Sequence, residues 1–494
     1  TILKERKRVI INFLIIIQGI KMEDTRIYTG VTKYKDIDFT FVFNGENLRL
    51  IPTTENVRKV ETEWLMTPIA KGTFIPNTDL KMEDSFLIGR CHENGKRIVF
   101  FTQKNANISS NNSVLIVQLI GYLECSTGKE KFGKISFLGP EINIIHPVNQ
   151  SFDFSFNPTT VSSDGVFSIT TKNFDITSTT PQEFEVDEKK VNVQFSVSRK
   201  FSTKILEPPI LLESSMLFEF DETEDYDFLV RLWFIAKEFI SFLCYRNNIC
   251  MKPAVVSSRN QDGKYQSFGI LTMMNQGTEE ELYALKQNRC IKQSTISGHE
   301  GQILTDIACD SLYTRHLPKT YEDGRHIDAS RFIMITAAFE WEFHRTYPNG
   351  VPKKESTILI ENEAIEALQR LIDSSTGKLK NKYKFLSKLI RSDSLQTELV
   401  KIGEDFDSII GNFGKHLYSL NGEELIYSSM GERLSSQRNH FAHGDLDKDF
   451  IGLALLDLIY LEYIVYAMQM KHYGIEDANI RNAINELFHL NFAL

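Results

Sequence analysis

Cysteine is sparse: six residues (Cys91, Cys125, Cys244, Cys250, Cys290, Cys309) in 494, none in a Cys-x-x-Cys pair. That scatter excludes a disulfide-dense scaffold and predicts reduced thiols, hence a cytoplasmic setting. Proline, at 13, and glycine, at 27, are too few for a collagen-like or low-complexity chain. Positive charge is not in excess either. Lys+Arg 56 against Asp+Glu 65 leaves a formal net charge of -9, so bulk charge draws no polyanion and any nucleic-acid contact must be local. No uncharged apolar run approaches the ~20 residues of a membrane-spanning helix, so no membrane partner is expected. No His-Glu-x-x-His, nucleophile elbow or phosphate-cradling glycine loop occurs, and no metal or cofactor is called for.

What remains, 42% hydrophobic and 24% charged residues, is ordinary globular text. Its length exceeds the ~250–300 residues that one core can serve, which predicts two or three domains. The first residues, TILKERKR before the apolar run Val9 to Ile17, superficially resemble a signal peptide. That run is too short to span a bilayer and no small-residue cleavage site follows. Met22 then opens an acidic stretch that reads as a natural beginning. Residues before Met22 are therefore expected to be an upstream extension or a strand.

The fold class expected is α+β and multidomain. Residues 22–215 read as an antiparallel β-rich sensor or regulatory domain, a sandwich or barrel, because short β-branched and aromatic runs alternate with turn signals such as Asn44-Gly45 and Asn94-Gly95. Phe152, Phe154 and Phe156, separated by Asp or Ser, should share one face of a half-buried sheet. Residues 216–324 are mixed α/β, either separate or part of the first domain, with PAVVSSR and KYQSFGILTMM forming a strand pair. Residues 325–494 read as helix after helix, and the penultimate one, apolar nearly all round but for Asp457 and Glu462, should be the centre of a bundle.

One stretch stands apart, Arg438-Asn439-His440-Phe441-Ala442-His443-Gly444. It joins a permanent cation, an amide and two imidazoles at a helix end, where Gly444 suits a left-handed cap and Asp445 or Asp447 suits the start of the next helix. Residues five apart on a helix diverge by about 140°, so Arg438 and His443 need either a helix end between them or a second copy of the chain. The bland reading pairs Arg438 with Glu432 or Glu340 and leaves His443 as a helix-end imidazole. A metal reading would use His440, His443 and Asp445, but it lacks a second ligand cluster.

This Arg-Asn-x-x-Ala-His-Gly pattern resembles the signature of HEPN domains, and the resemblance covers roughly the C-terminal third. The order of a β-rich part before such a bundle is similar to the ApeA group of bacterial anti-phage proteins. The resemblance implies an all-α HEPN bundle that dimerises and a metal-independent endoribonuclease acting in abortive infection. It implies that His443 transfers protons, Arg438 stabilises the phosphate charge and Asn439 orients the phosphate or the imidazole, with His440 and Glu340 as accessories. RNA, tRNA among the candidates, would be the substrate, and a phage-derived trigger the activator.

Elsewhere, GKLKNKYKFLSKLIR places Lys380, Lys384 and Lys388 on one helical face, a candidate RNA contact whose alternative is a solvated surface. Glu340 and Glu342 are too close in sequence to share a helix face as an acid/base pair. Two other functions stay open. One is a non-catalytic dimerisation scaffold with a ligand-recognising β-domain. The other is a secreted carbohydrate-active protein, which requires the N-terminal run to be a signal peptide.

Overall fold

The computed structural model describes residues 27–70, 73–77, 79–126, 128–156, 167–172, 177–205, 208–274, 277, 289–391, 393–442, 450–490 and 492. The residues before Met22 and the motif residues 443–447 lie outside this set. Contacts divide the chain into two units, and the segment 216–324 contributes to both.

The first unit draws on Thr1–Lys134, Glu222–Leu229 and Pro253–Asn275. Its centre is a barrel of six antiparallel strands: β1 (Tyr28–Tyr34), β2 (Ile37–Phe43), β3 (Asn47–Pro52), β4 (Phe86–Cys91), β5 (Arg97–Thr102) and β6 (Val114–Cys125). Neighbours pair in the order β1-β2-β3-β6-β5-β4, and β4 returns to β1 to close the ring. Closure works because β6 is long: its Leu115 to Gln118 half pairs with β3, and its Leu119 to Glu124 half with β5. The period-two alternation of β2 sends Phe39, Phe41 and Phe43, all at 0% exposure, inward. The Phe41 ring needs bare backbone beside it, since a Cβ on Gly30 would lie 2.6 Å from it and one on Gly89 2.7 Å. The expected hairpin forms between Ala254–Arg259 and Tyr265–Met273.

The second unit holds the antiparallel sheet β7 (Gln182–Val186), β8 (Lys189–Phe201) and β9 (Ile210–Thr223), in that order. The strand Phe152–Phe156 pairs with Phe167–Thr171 in a separate two-stranded ribbon. Phe154 there is 58% exposed, contrary to the half-buried sheet face expected, because a two-strand ribbon is too narrow to enclose its ring.

The same unit contains α1 (Tyr226–Cys244) from its second turn, α2 (Glu300–Ala308), α3 (Ala329–Thr346), α4 (Glu355–Ser374), α5 (Gly377–Arg391), α6 (Leu395–Ser419), α7 (Tyr427–Ala442), α8 (Ala454–His472) and α9 (Asp477–Leu487). Helix α8 packs on α3, α6, α7 and α9, as its all-round apolar surface predicts. Its N-cap is Leu453, which offers no capping side chain, and the two capping candidates Asp445 and Asp447 lie outside the described residues. The turn Ile451 to Leu453, with Gly452 at φ +56, leads into α8.

The two carboxylates of α8 are both buried and both paired. Asp457, at 0% exposure, accepts two hydrogen bonds of 2.7 Å from Arg433 of α7 and one from the Tyr418 hydroxyl. Glu462 accepts from Arg331 of α3 at 2.8 Å and from the Tyr245 hydroxyl. Among the described residues no helix is long and apolar enough to cross a membrane.

Candidate active site

Helix α7 carries Arg438, Asn439 and His440 in its last turn. The helix buries Met430, Leu434 and Phe441 and leaves Arg438 half-buried and Asn439 exposed. The chain on either side of residues 443–449 is pinned together. The Phe441 and Phe450 rings meet edge to face at 5.6 Å, and the side-chain Oε1 of buried Gln437 accepts from the Ile451 amide at 2.9 Å. Phe332 of α3 packs on both rings. His443 follows this anchored helix end directly, but is itself outside the described residues.

Arg438 is held by Glu340 of α3 in a two-pronged pair: one guanidinium nitrogen binds Oε1 and the other reaches Oε2 at 3.2 Å. The two side chains are 42% and 32% exposed, so this contact stands where solvent or a ligand can reach it. Glu432, the other partner considered, instead accepts from Gln396 at 2.8 Å. Glu342 points away from Glu340, as its spacing requires. It is fully buried, accepts from Gln469 at 3.2 Å, and burial pushes its carboxyl up to about 7.

Glu340 lines an open polar cavity of about 670 Å³ whose wall also includes His344, Lys353, Asp393 and Glu398. Glu398, in the first turn of α6, is 4% exposed, and its carboxyl is pushed up to about 7. Burial is the main cause. The negative charges of Glu340 and Asp393 add to it and Arg438 opposes it. Asp393 is held in place by the Val351 amide at 2.8 Å and by Lys353 at 3.6 Å. The sequence offered a signal for Glu398 that went unread: a glutamate set among Leu395, Leu399 and Ile402 on the buried side of an amphipathic helix.

A carboxyl raised in the folded state binds more protons there than in the unfolded chain. Its contribution is complete below the unfolded value near 4.3 and is lost as pH rises through about 7. Glu398→Gln is therefore expected to stabilise the protein by about 1–3 kcal/mol at pH 8 and by little at pH 4.5. Urea unfolding at both pH values checks it, and equal differences would reject the assignment.

Lys380, Lys384 and Lys388 lie along α5, with Lys384 and Lys388 exposed and Lys380 half-buried. Helix α5 packs mainly on α4, and no described contact joins these lysines to Arg438. Among the described residues no group of three or more His, Cys, Asp or Glu is arranged to hold a metal ion; His443 and Asp445 of the metal reading are not among them. No protein-family model, curated protein or solved structure matches the chain.

Proposed function

We propose that the chain is a metal-independent endoribonuclease of the HEPN type, ApeA-like, acting in bacterial anti-phage defence by abortive infection. RNA, with tRNA among the candidates, is the substrate. The helical region forms the homodimer, and the β-rich region senses a phage-derived trigger. The observation that supports this best is the placement of Arg438: a guanidinium fork on the last turn of a pinned helix, paired with Glu340 of an open cavity's wall and five residues before His443.

RNA supplies its own nucleophile in the 2′-OH. Cleavage then needs a group to take that proton, a group to protonate the 5′-oxygen and a cation for the charge growing on phosphorus. An imidazole can both take and give a proton near neutral pH, and His443 moves the protons. Arg438 grips the phosphate through two parallel hydrogen bonds, the same fork it now gives to Glu340. Asn439 and His440 orient the phosphate or the imidazole, and Lys380, Lys384 and Lys388 track the strand. The Glu398 carboxyl, raised toward neutrality, adds less negative charge near that phosphate than a full carboxylate would.

The test is cleavage of end-labelled RNA by the purified chain in chelator. Wild type should leave 2′,3′-cyclic phosphate and 5′-hydroxyl ends, and His443→Ala should lower the rate by about 10²–10⁴-fold. A requirement for added divalent metal, or 3′-hydroxyl products, would overturn the proposal. The Arg438–Glu340 pair also favours a second reading, a non-catalytic dimerisation scaffold, in which neither dimerisation nor any RNA chemistry responds to His443→Ala.

A further inference from the structure

Two helices of the second unit, α4 and α5, pack chiefly on each other. The link Ser375 to Thr376, followed by Gly377 at φ +61, turns one back on the other, so they form an antiparallel hairpin. It is poorly covered. Along α4 only Ile372 is buried, and no described residue of α5 is. Helices of 20 and 15 residues draw most of their stability from packing an apolar face, and here that face meets solvent.

Each helix carries a seam at coiled-coil spacing. On α4 it is Ile360, Ala364, Ala367 and Leu371, and on α5 it is Leu379, Tyr383, Leu386 and Ile390, both stepping by four, three and four residues. Ala364, Tyr383 and Ile390 are half-buried, whereas Ile360 and Leu379 stand 67% and 55% exposed. Helical spacing sets each seam about 70–110° back from its inward line, through Ile372 on α4 and half-buried Ser387 on α5, and in an antiparallel pair that turns both seams to one side. Half of a four-helix bundle has this form.

The charges beside the seams point to the missing half. The outer flank of α4 is acidic, with Glu363 and Glu366 against the single cation Arg370, and that of α5 is basic, with Lys378 and Lys382 and no acid anywhere on the helix. Among the described residues Glu363, Glu366, Lys378 and Lys382 have no ionic partner. Two copies related by a two-fold axis that lays α4 of each on α5 of the other set acid against base twice. An anionic bilayer would attract α5 alone, but the acids of α4 on the same hairpin repel it. Lys384 and Lys388 lie more than about 100° round α5 from its seam and stay outside the contact. The face is roughly 22–30 Å long and two helices, about 20 Å, wide, so two copies bury on the order of 1,000 Å², enough for a specific interface.

We propose that the α4–α5 hairpin is a self-association surface through which two copies of the chain join as an antiparallel four-helix bundle, α4 of each against α5 of the other. This rests on the homodimer part of the proposed function and on none of its RNA chemistry.

The experiment is sedimentation velocity of the full chain at about 1–100 μM, with circular dichroism to check the helix content of every variant. Wild type should sediment as a dimer at the upper end. Leu379→Glu with Leu386→Glu, both at exposed positions, should weaken the dimer at least tenfold without loss of helix. Glu363→Lys with Glu366→Lys in one chain, and Lys378→Glu with Lys382→Glu in another, should each weaken it at least tenfold, and an equal mixture of the two should pair again. A wild type that stays monomeric at the upper concentration overturns the inference together with the homodimer it rests on. A dimer that ignores the leucine variant, or a mixture of the charge reversals that stays monomeric, overturns the hairpin surface alone. Flotation of wild type with vesicles of anionic phospholipid, lost in the leucine variant, would overturn it too and assign the face to a lipid surface.

Discussion

Arg433→Leu is expected to lower stability by about 3–5 kcal/mol, because it strands a carboxylate in the middle of the bundle. Asp457 has no exposure, and without the two 2.7 Å hydrogen bonds from Arg433 only the Tyr418 hydroxyl would face it. The loss should appear as a fall of about 4–7 °C in the melting temperature. The companion measurement is the double variant Arg433→Leu, Asp457→Leu, which removes the stranded charge along with its partner. It should recover most of the loss, since a buried ion pair and an apolar pair of similar volume are often close in stability. If the double variant is as unstable as the single one, lost packing rather than the unpaired charge governs this position.

Arg438→Ala should reduce RNA cleavage by about 10²–10³-fold while moving stability by less than about 1 kcal/mol. The two effects separate because the Arg438–Glu340 pair is substantially exposed, so it contributes little to folding. Under the nuclease proposal the phosphate competes with Glu340 for one guanidinium fork. Glu340→Gln then weakens the competitor and should lower KM without a matching loss in kcat. Steady-state kinetics on a short RNA reads both. An Arg438→Ala variant that cleaves normally would return this residue to a purely structural role beside Glu340.

Much of the architecture was legible because it is periodic. Apart from α8, which is apolar all round, the C-terminal helices show a 3.6-residue pattern, and β2 shows a two-residue one, so their positions follow from local text. Closure of the barrel was not legible. It depends on Val31 meeting Arg90 and on Leu48 meeting Val117, pairings between distant segments that alternation alone leaves undetermined. In the same way, Asp457 and Glu462 were readable as charges in an apolar helix, but their partners Arg433 and Arg331 belong to other helices. At the site, Arg438 and its partner Glu340 were both anticipated. Glu398 was not, because its surroundings come from the ends of separate helices and from the Gly350 to Lys353 turn.

The two carboxylates of α8 have one more consequence. A rod that is greasy on every side gains nearly the same burial at any rotation about its long axis, so hydrophobicity alone sets its place but not its angle. Asp457 and Glu462 are five residues apart and project about 140° from each other, one toward Arg433 and one toward Arg331. Together they act as two keys cut at different angles, admitting a single orientation of the helix and so fixing which way its neighbours, α7 among them, must face.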